Sequence, residues 1–366
     1  MHVRSPIRVI GVTALFALTS CTSSQSKPTQ PTDTTRTETK PTEATTTPTC
    51  DKQQPAPAGC RRSFTVAGTL FTERYVDAAD MTWHVVEAGD TKNPAILFVH
   101  GVPESWYDWH KQMGSLAKNH HVVAFDLKGF GRSAHPQTVQ SPSSNEYAAS
   151  RVATEVSALL DQLALKRHVT LVSHDWGTII SSYLIAQDGE RFAGWVRMSA
   201  PLGGDGDEIV TRNTQFSSFQ NPEFCNAIAG SQGFVRLLYG YDGSLGINTA
   251  QAIPNSEVDR VEEEFRFDPA TPVTMCRYYR DNPQISDPNF WATELVAMLQ
   301  PFRGPVSLVQ ATQDTQQPLR WFSETPNRFS SRSVVLVPIE DSGHFMMFEQ
   351  PDAVTAAIQS LVARQS

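Results

Sequence analysis

The chain alternates between short apolar runs and longer stretches in which apolar residues recur every three or four positions. The runs at 95–99, 121–125 and 169–172 are almost continuously apolar, which is typical of strands covered on both faces. A helical period is clear at 152–163. This alternation predicts an α/β fold in which a mostly parallel sheet has helices on both faces. The eight strands that we predict cover 69–75, 81–88, 95–99, 121–125, 169–172, 194–198, 306–309 and 333–337.

The alternation stops between residues 203 and 300. This part lacks apolar strands, is interrupted by Pro and Gly, and includes helical pieces such as 256–266. Strands resume after residue 305, so the sheet is completed by residues beyond the insertion. We therefore predict a helical cap at 203–300, inserted into a core formed by 63–202 and 301–366.

Residues 1–20 have the features of a targeting segment, with Arg4 and Arg8 ahead of an apolar stretch at 9–18. That stretch is too short to span a bilayer as a helix. The sequence at 18–21 resembles a bacterial lipobox, which implies a signal peptide cleaved before Cys21 and a lipid attached to Cys21. An ordinary secretory signal is the alternative. We expect a protein of the bacterial cell envelope that binds membrane lipid through Cys21, or a secreted protein if Cys21 is unmodified.

Residues 21–62 are rich in Thr and Pro and nearly devoid of large apolar side chains, which predicts a disordered tether. The whole chain has 30 Lys and Arg against 38 Asp and Glu. Eight of the basic and four of the acidic residues lie in 1–62, which leaves 22 basic and 34 acidic residues in 63–366. An acidic body of this kind argues against nucleic acid as a partner, because phosphate binding needs a basic face.

Four cysteines remain after Cys21, an even number that suits an oxidising compartment. Four cysteines allow three pairings. We favour Cys50 with Cys60 and Cys225 with Cys276, because the second two fall in the inserted region. No CxxC or HExxH spacing occurs, so we expect no metal and no cofactor.

The residues at 173–177, Ser-His-Asp-Trp-Gly, follow a β-branched run and precede a helical stretch. Strand, sharp turn and helix with small flanking residues are typical of a nucleophile elbow. Asp175 occupies the reactive position, and a carboxylate there suits attack on an electrophilic sp³ carbon. The alternative is an Asp that caps the following helix.

Two other polar residues lie directly after predicted strands. Asp314 follows the strand that begins at 306, and His344 follows the strand at 333–337. Loops at the carboxyl ends of parallel strands share one edge of the sheet, where ligands bind. Asp175, Asp314 and His344 therefore form a candidate triad of nucleophile, acid and histidine.

A third loop follows the strand at 95–99 and begins His-Gly-Val-Pro at 100–103. Gly and Pro after a central strand make a turn whose backbone N–H groups can face one point. We interpret the N–H groups of Val102 and Trp176 as an oxyanion hole. The alternative is an ordinary connection between a strand and a helix.

The segments 100–107, 129–133 and 174–177 are similar to motifs of the epoxide hydrolase group of α/β-hydrolases. The resemblance covers about 64–364 and implies an α/β-hydrolase fold. It also implies that a cap tyrosine protonates the epoxide oxygen, and Tyr279 matches that position in the segment 277–282. The substrates implied are a small hydrophobic epoxide and water, and the product is a vicinal diol.

The resemblance suggests further pocket residues, and these are His100, Pro103, Trp106 and Tyr278. The family commonly has a second cap donor, for which this chain has no clear match. Tyr239 and Tyr241 are candidates by residue type alone, and packing is the favoured interpretation of both.

Haloalkane dehalogenases are the main alternative, because they share the Asp, the His and a Trp after the nucleophile. They usually add a second halide donor, often Asn, at the position of Val102, and valine has none. This difference, with Glu104 and Tyr279, favours the epoxide. An esterase would need Ser at the elbow, and a non-catalytic surface-binding module would not need Asp175, Asp314 and His344 intact.

Overall fold

The computed structural model describes residues 59–133, 145–231, 233–239, 253–323, 325–328 and 333–365. These residues contain one nine-stranded sheet. Its strands are β1 (Arg61–Val66), β2 (Thr69–Ala78), β3 (Met81–Ala88), β4 (Ala95–Val99), β5 (His121–Phe125), β6 (Val169–His174), β7 (Phe192–Met198), β8 (Val306–Ala311) and β9 (Val334–Ile339). The strand order is β1-β2-β3-β5-β4-β6-β7-β8-β9.

The sheet is antiparallel from β1 to β5 and parallel from β5 to β9. The predicted α/β-hydrolase fold is confirmed, but the sheet has nine strands where we predicted eight. The additional strand, β1, lies at the sheet edge and is largely exposed. It carries no continuous apolar run, and it takes in Arg61 and Arg62 from the end of the predicted tether.

Helices cover both faces of the parallel part of the sheet. Those outside the interval between β7 and β8 are α1 (His110–Leu116), α2 (Ala149–Gln162), α3 (Asp175–Asp188), α11 (Met346–Glu349) and α12 (Pro351–Ala363). The apolar side of α2 is fully buried, with Val152, Val156, Leu159 and Leu160 inaccessible to solvent. Removing such side chains from water is the main stabilising contribution to a sheet covered in this way.

Seven described α-helices lie between β7 and β8, the interval in which we predicted a cap. They are α4 (Gly206–Arg212), α5 (Gln215–Gln220), α6 (Pro222–Gly230), α7 (Phe234–Tyr239), α8 (Asn255–Phe265), α9 (Thr271–Arg280) and α10 (Leu295–Leu299). A disulfide joins Cys225 on α6 to Cys276 on α9, which confirms that predicted pairing. The other predicted pairing involves Cys50, which lies outside the described residues.

Buried polar contacts attach these helices to the loops of the sheet. The Tyr239 hydroxyl donates to Asp108 Oδ1 at 2.6 Å, and the Tyr278 hydroxyl donates to the carbonyl oxygen of Lys128 at 2.9 Å. A buried polar group without a partner is costly, so contacts of this kind determine how α7 and α9 lie on the sheet.

The predicted leader at 1–20, Cys21 and Tyr241 also lie outside the described residues. Among the helices that are described, none combines the length and the apolar character needed to cross a membrane.

Candidate active site

Asp175 is the first residue of α3 and follows β6 directly. Its φ of 49° lies in the left-handed region, which side-chain-bearing residues adopt rarely. The turn requires a residue without a side chain at Gly177, because a Cβ there would lie 2.3 Å from the carbonyl oxygen of His100. The elbow predicted from 173–177 is therefore present, and it presents Asp175 at the carboxyl edge of the sheet.

The loop after β4 packs closely against this carboxylate. The backbone N–H of Val102 donates to Asp175 Oδ1 at 3.0 Å, and the backbone N–H of Trp176 also bonds to the carboxylate. A Cβ on Gly101 would lie 2.7 Å from the same oxygen. The two N–H groups that we predicted to form an oxyanion hole thus both bond to the carboxylate of Asp175.

His344 lies between two carboxylates. Its Nδ1 is 2.9 Å from Asp314 Oδ2, and its Nε2 is 3.8 Å from Asp175 Oδ2. Asp314 is oriented in turn by the backbone N–H groups of Gln316 and Gln317, each of which donates to Oδ1 at 2.9 Å. The structure therefore brings together all three members of the predicted triad.

The charges at this site are strongly coupled. Burial raises the pKa of Asp314, but the charge of His344 and the hydrogen bonds to its oxygens outweigh burial and hold that pKa below its usual value. Burial disfavours a charge on His344, yet Asp314 and then Asp175 raise its pKa to about 9. Burial also raises the pKa of Asp175, although His344 opposes this. In the free protein His344 is therefore a cation paired with Asp314 and Asp175.

Asp175 and His344 open into a cavity of about 280 Å³ between the sheet and the cap helices. Most of its cap wall is apolar, formed by Phe219, Phe224, Phe234, Leu238 and Met275. A short polar strip on and beside α5 adds Thr214, Gln215 and Ser218.

Tyr279 on α9 lines the same cavity. Its ring lies edge-on to the indole of Trp176, with 5.0 Å between centroids, and 4.6 Å from the ring of Phe219. Burial and the charge of Asp175 raise the pKa of Tyr279, whereas a hydrogen bond with the side chain of Trp176 lowers it to a smaller extent. The phenol is therefore neutral and keeps its proton.

The profile of the Alpha/beta hydrolase family matches residues 96–357. The chain belongs to this family. Among its relatives, epoxide hydrolase A from Mycobacterium tuberculosis is 34% identical over 131 residues, which are 36% of this chain and 39% of that one. The match thus spans well under half the length of that relative.

Two solved structures have the same fold. An epoxide hydrolase from Vigna radiata superposes with a TM-score of 0.63 and 22% identity, covering 80% of this chain and 98% of that one. A loop variant of a haloalkane dehalogenase from Bradyrhizobium elkanii gives a TM-score of 0.65 and 20% identity with the same coverage. This α/β-hydrolase therefore shares its architecture with both classes of enzyme.

Of the other pocket residues that we predicted in this α/β-hydrolase, Pro103 lines the cavity and three lie elsewhere. His100 is buried between loops, where its Nε2 accepts the N–H of Leu127 at 2.8 Å. Trp106 packs against Phe64 and Phe71 near the sheet edge. Tyr278 donates to a backbone carbonyl, because consecutive residues of α9 point about 100° apart.

Tyr239 is a packing residue, as the sequence favoured. Its hydroxyl is engaged by Asp108, and its ring stacks on Phe345 with 3.7 Å between centroids. Tyr239 is absent from the cavity lining.

Sequence reasoning missed a buried pair, Glu104 and His174. Glu104 Oε2 accepts the N–H of Gly101 at 2.6 Å, and Oε1 is 2.5 Å from His174 Nδ1. His174 Nε2 is 3.0 Å from the carbonyl oxygen of His344. Burial raises the pKa of Glu104 and lowers that of His174, so it disfavours separate charges on the two side chains. Because Nε2 of His174 faces a carbonyl oxygen, this nitrogen carries a proton and donates it.

This pair ties the loop after β4 to the loop that carries His344. The signal was present in the sequence, because Glu104 and His174 belong to the motifs at 100–107 and 174–177. Glu104, His174 and His344 also form a group of potential metal ligands within the described residues. The facing atoms of Glu104 and His174 already bond to each other and His174 Nε2 bonds to a carbonyl, so the group is satisfied without an ion.

Proposed function

We propose that the protein hydrolyses small hydrophobic epoxides to vicinal diols through an ester of Asp175. The observation that carries this proposal is the position of Tyr279, a neutral phenol that lines the same cavity as Asp175 and His344. Opening an epoxide requires a nucleophile at carbon and an acid at the departing oxygen. An α/β-hydrolase that acted on esters would have no use for a buried acid of this kind.

The first step uses the carboxylate oxygen that the backbone leaves available. Asp175 Oδ1 is held by the N–H of Val102, so Oδ2 is the oxygen that attacks the epoxide carbon. The carbon–oxygen bond of the ring breaks, and Tyr279 gives its proton to the alkoxide. The products are a hydroxyalkyl ester of Asp175 and a tyrosinate.

The second step hydrolyses that ester. Once the charge of Asp175 is lost, the cationic His344 releases its proton, which neutralises the tyrosinate. The neutral His344 then takes a proton from water through Nε2, and the hydroxide attacks Cγ of Asp175. Negative charge develops on Oδ1, to which the N–H of Val102 already donates, and the N–H of Trp176 also bonds to this carboxyl group. The bond between Cγ and Oδ2 breaks, and the alkoxide takes the proton back from His344. The proton released by the regenerated carboxyl group returns to His344, so each group recovers its starting protonation state and the net reaction adds one water to one epoxide.

The cavity supports a substrate with an apolar body. Its volume of about 280 Å³ suits a small substrate. The aromatic cap wall favours carbon over polar groups in that space.

A haloalkane dehalogenase is the second candidate, because Trp176 follows the nucleophile and one structural neighbour is such an enzyme. The side chain of Val102 has no donor for a halide, and the side chain of Trp176 is engaged with Tyr279. Both observations favour the epoxide. Purified full-length protein should be incubated with an epoxide and, separately, with a brominated alkane. Bromide release without diol formation would overturn our choice.

Asp175→Asn tests the nucleophile. The amide has nearly the same shape but is a far weaker nucleophile, so diol formation should be lost while the circular dichroism spectrum is unchanged. Asp341→Asn, an exposed position in the loop before His344, is the matched control and should keep full activity. Full, immediate activity of Asp175→Asn would refute the assignment, and a wild-type protein with neither activity would favour a binding module.

We also propose that Cys21 is lipid-modified after removal of 1–20 and anchors the protein in a cell envelope. The support is the lipobox-like sequence and the Thr/Pro-rich stretch that follows it. Cys21→Ser should move the protein from the membrane fraction to the soluble fraction of expressing bacteria. An unchanged membrane fraction would contradict this proposal.

A further inference from the structure

The disulfide between Cys225 and Cys276 joins two helices whose side chains form the cap wall of the cavity. Phe224 precedes Cys225 on α6, and Met275 precedes Cys276 on α9. Both of these neighbours line the cavity that contains Asp175. The covalent link is therefore built into the substrate pocket.

The same link lies close to the proton donor. Tyr279 is three residues after Cys276 on α9, and residues at this spacing lie on the same side of a helix. Cys276 and Tyr279 are both buried, with 0% and 5% exposure. A rotation or shift of α9 that moves Cys276 therefore moves Tyr279 in the same direction.

A ring cluster connects the disulfide to Tyr279 on its other side. The Sγ atom of Cys225 lies 3.2 Å from the carbonyl oxygen of Phe219. The ring of Phe219 is 4.6 Å from that of Tyr279 and 5.4 Å from that of Phe224. Through these contacts, the position of α6 affects the position of the Phe219 ring, which packs against the ring of Tyr279.

Packing alone holds α6 weakly. Among the side chains of α6 that the structure describes, those of Cys225 and Ile228 are buried, and Phe224 is 40% exposed. A helix attached by so few apolar side chains depends on its covalent bond, because most of its stability comes from tertiary packing.

We propose that the Cys225–Cys276 disulfide is a positioning element for Tyr279, which acts on epoxide opening and leaves ester hydrolysis unaffected. The groups used in hydrolysis lie on the loops that follow β4, β6, β8 and β9, which the disulfide does not join. This inference rests on the proposed epoxide hydrolase function.

The test uses the full chain with Cys225→Ala and Cys276→Ala combined, and styrene oxide as the probe. Single-turnover reactions quenched at intervals give the rate of ester formation and the rate of ester decay from the mass of the protein. The double variant should form the ester about tenfold more slowly, a fraction of the full effect of an acid catalyst. Its rate of ester decay should stay within about twofold of wild type.

A double-mutant cycle with Tyr279→Phe identifies the route of the effect. If the disulfide acts through Tyr279, its removal should cause no further slowing in the Tyr279→Phe background. The proposal would be overturned if loss of the disulfide slowed ester formation and ester decay equally. It would also be overturned if loss of the disulfide slowed ester formation as much in the Tyr279→Phe background as in wild type, or did not slow it at all in an active protein. A wild-type protein that forms no ester would instead refute the proposed function.

If the double variant does not fold, the same two rates are measured on native protein treated with a phosphine reductant. Peptide mapping then identifies which cysteines were reduced. Slower ester formation in molecules with reduced Cys225 and Cys276 supports the proposal, and unchanged formation overturns it.

Discussion

The strongest prediction concerns how ester formation prepares His344 for its next step. In the free protein the pKa of His344 is raised to about 9 by its carboxylate neighbours, above all Asp314 and Asp175. A histidine that is cationic at neutral pH cannot accept a proton from water. Once Asp175 becomes an ester, one of the two negative charges disappears, so the pKa of His344 must fall.

The size of the fall follows from the geometry. Asp175 Oδ2 lies 3.8 Å from His344 Nε2. With an effective dielectric constant of about 20, two unit charges at that distance interact by roughly 4 kcal/mol, or about 3 pH units. The pKa of His344 should therefore drop to roughly 6 in the ester, so that most molecules carry a neutral base at pH 7.

Asp175→Asn imitates the loss of charge in a stable protein. Histidine-selective ¹³C labelling reports the ring of His344, and a His344→Gln sample assigns its signal among the ten histidines. Asp341→Asn removes an exposed carboxylate and should shift the pKa by less than about half a unit, because solvent and salt screen it. A shift below one unit in Asp175→Asn would refute this account of activation.

Three further predictions test other parts of the site and fold. His344→Gln should trap the ester, seen as a lasting increase in protein mass after epoxide is added, and a protein that returns to its original mass would contradict this. Gly101→Ala should slow ester hydrolysis by about 10²–10³, because the new Cβ would lie 2.6 Å from Asp175 Cβ and displace the Val102 N–H; Gly189→Ala meets its nearest atom at an ordinary 3.5 Å and is the control. Buried His84 pairs with Asp126 and Glu73, which raise its pKa from 6.5 to about 9 against burial; its stabilisation is complete below pH 6.5 and is lost as the pH rises through 9. Between pH 6 and pH 10 the free energy of unfolding, measured with urea, should therefore fall by about 3 kcal/mol less in His84→Gln than in wild type. An equal fall in both proteins would contradict the ion pair.

Much of the core was readable from local pattern. The strands at the centre of the sheet are mostly apolar runs. The turn at Asp175 is marked by the small residues Ser173 and Gly177, two positions to either side. Their order alone indicates that Asp314 and His344 reach the same edge as Asp175. β1 escaped prediction because it is largely exposed at the sheet edge, has no apolar run of its own and is formed by pairing with β2.

The cap side of the site was less accessible to prediction. Neighbours in sequence lead to opposite environments there: Tyr279 faces the cavity, whereas Tyr278 bonds to the carbonyl oxygen of Lys128. Likewise, Pro103 and Trp106 belong to one motif, yet Pro103 lines the cavity and Trp106 does not. These outcomes depend on how short helices rotate when they pack, which no local period of the sequence specifies.

The sequence by itself determined the α/β alternation, the elbow at Asp175 and the order of the triad, because these depend on residues close together in the chain. The tertiary structure alone decided that Glu104 and His174 form a buried hydrogen-bonded pair, that Oδ2 of Asp175 faces His344, and that Tyr279 lines the cavity. Those features arise from contacts between distant segments, and the energy of each contact depends on burial and charge that exist only after the chain has folded.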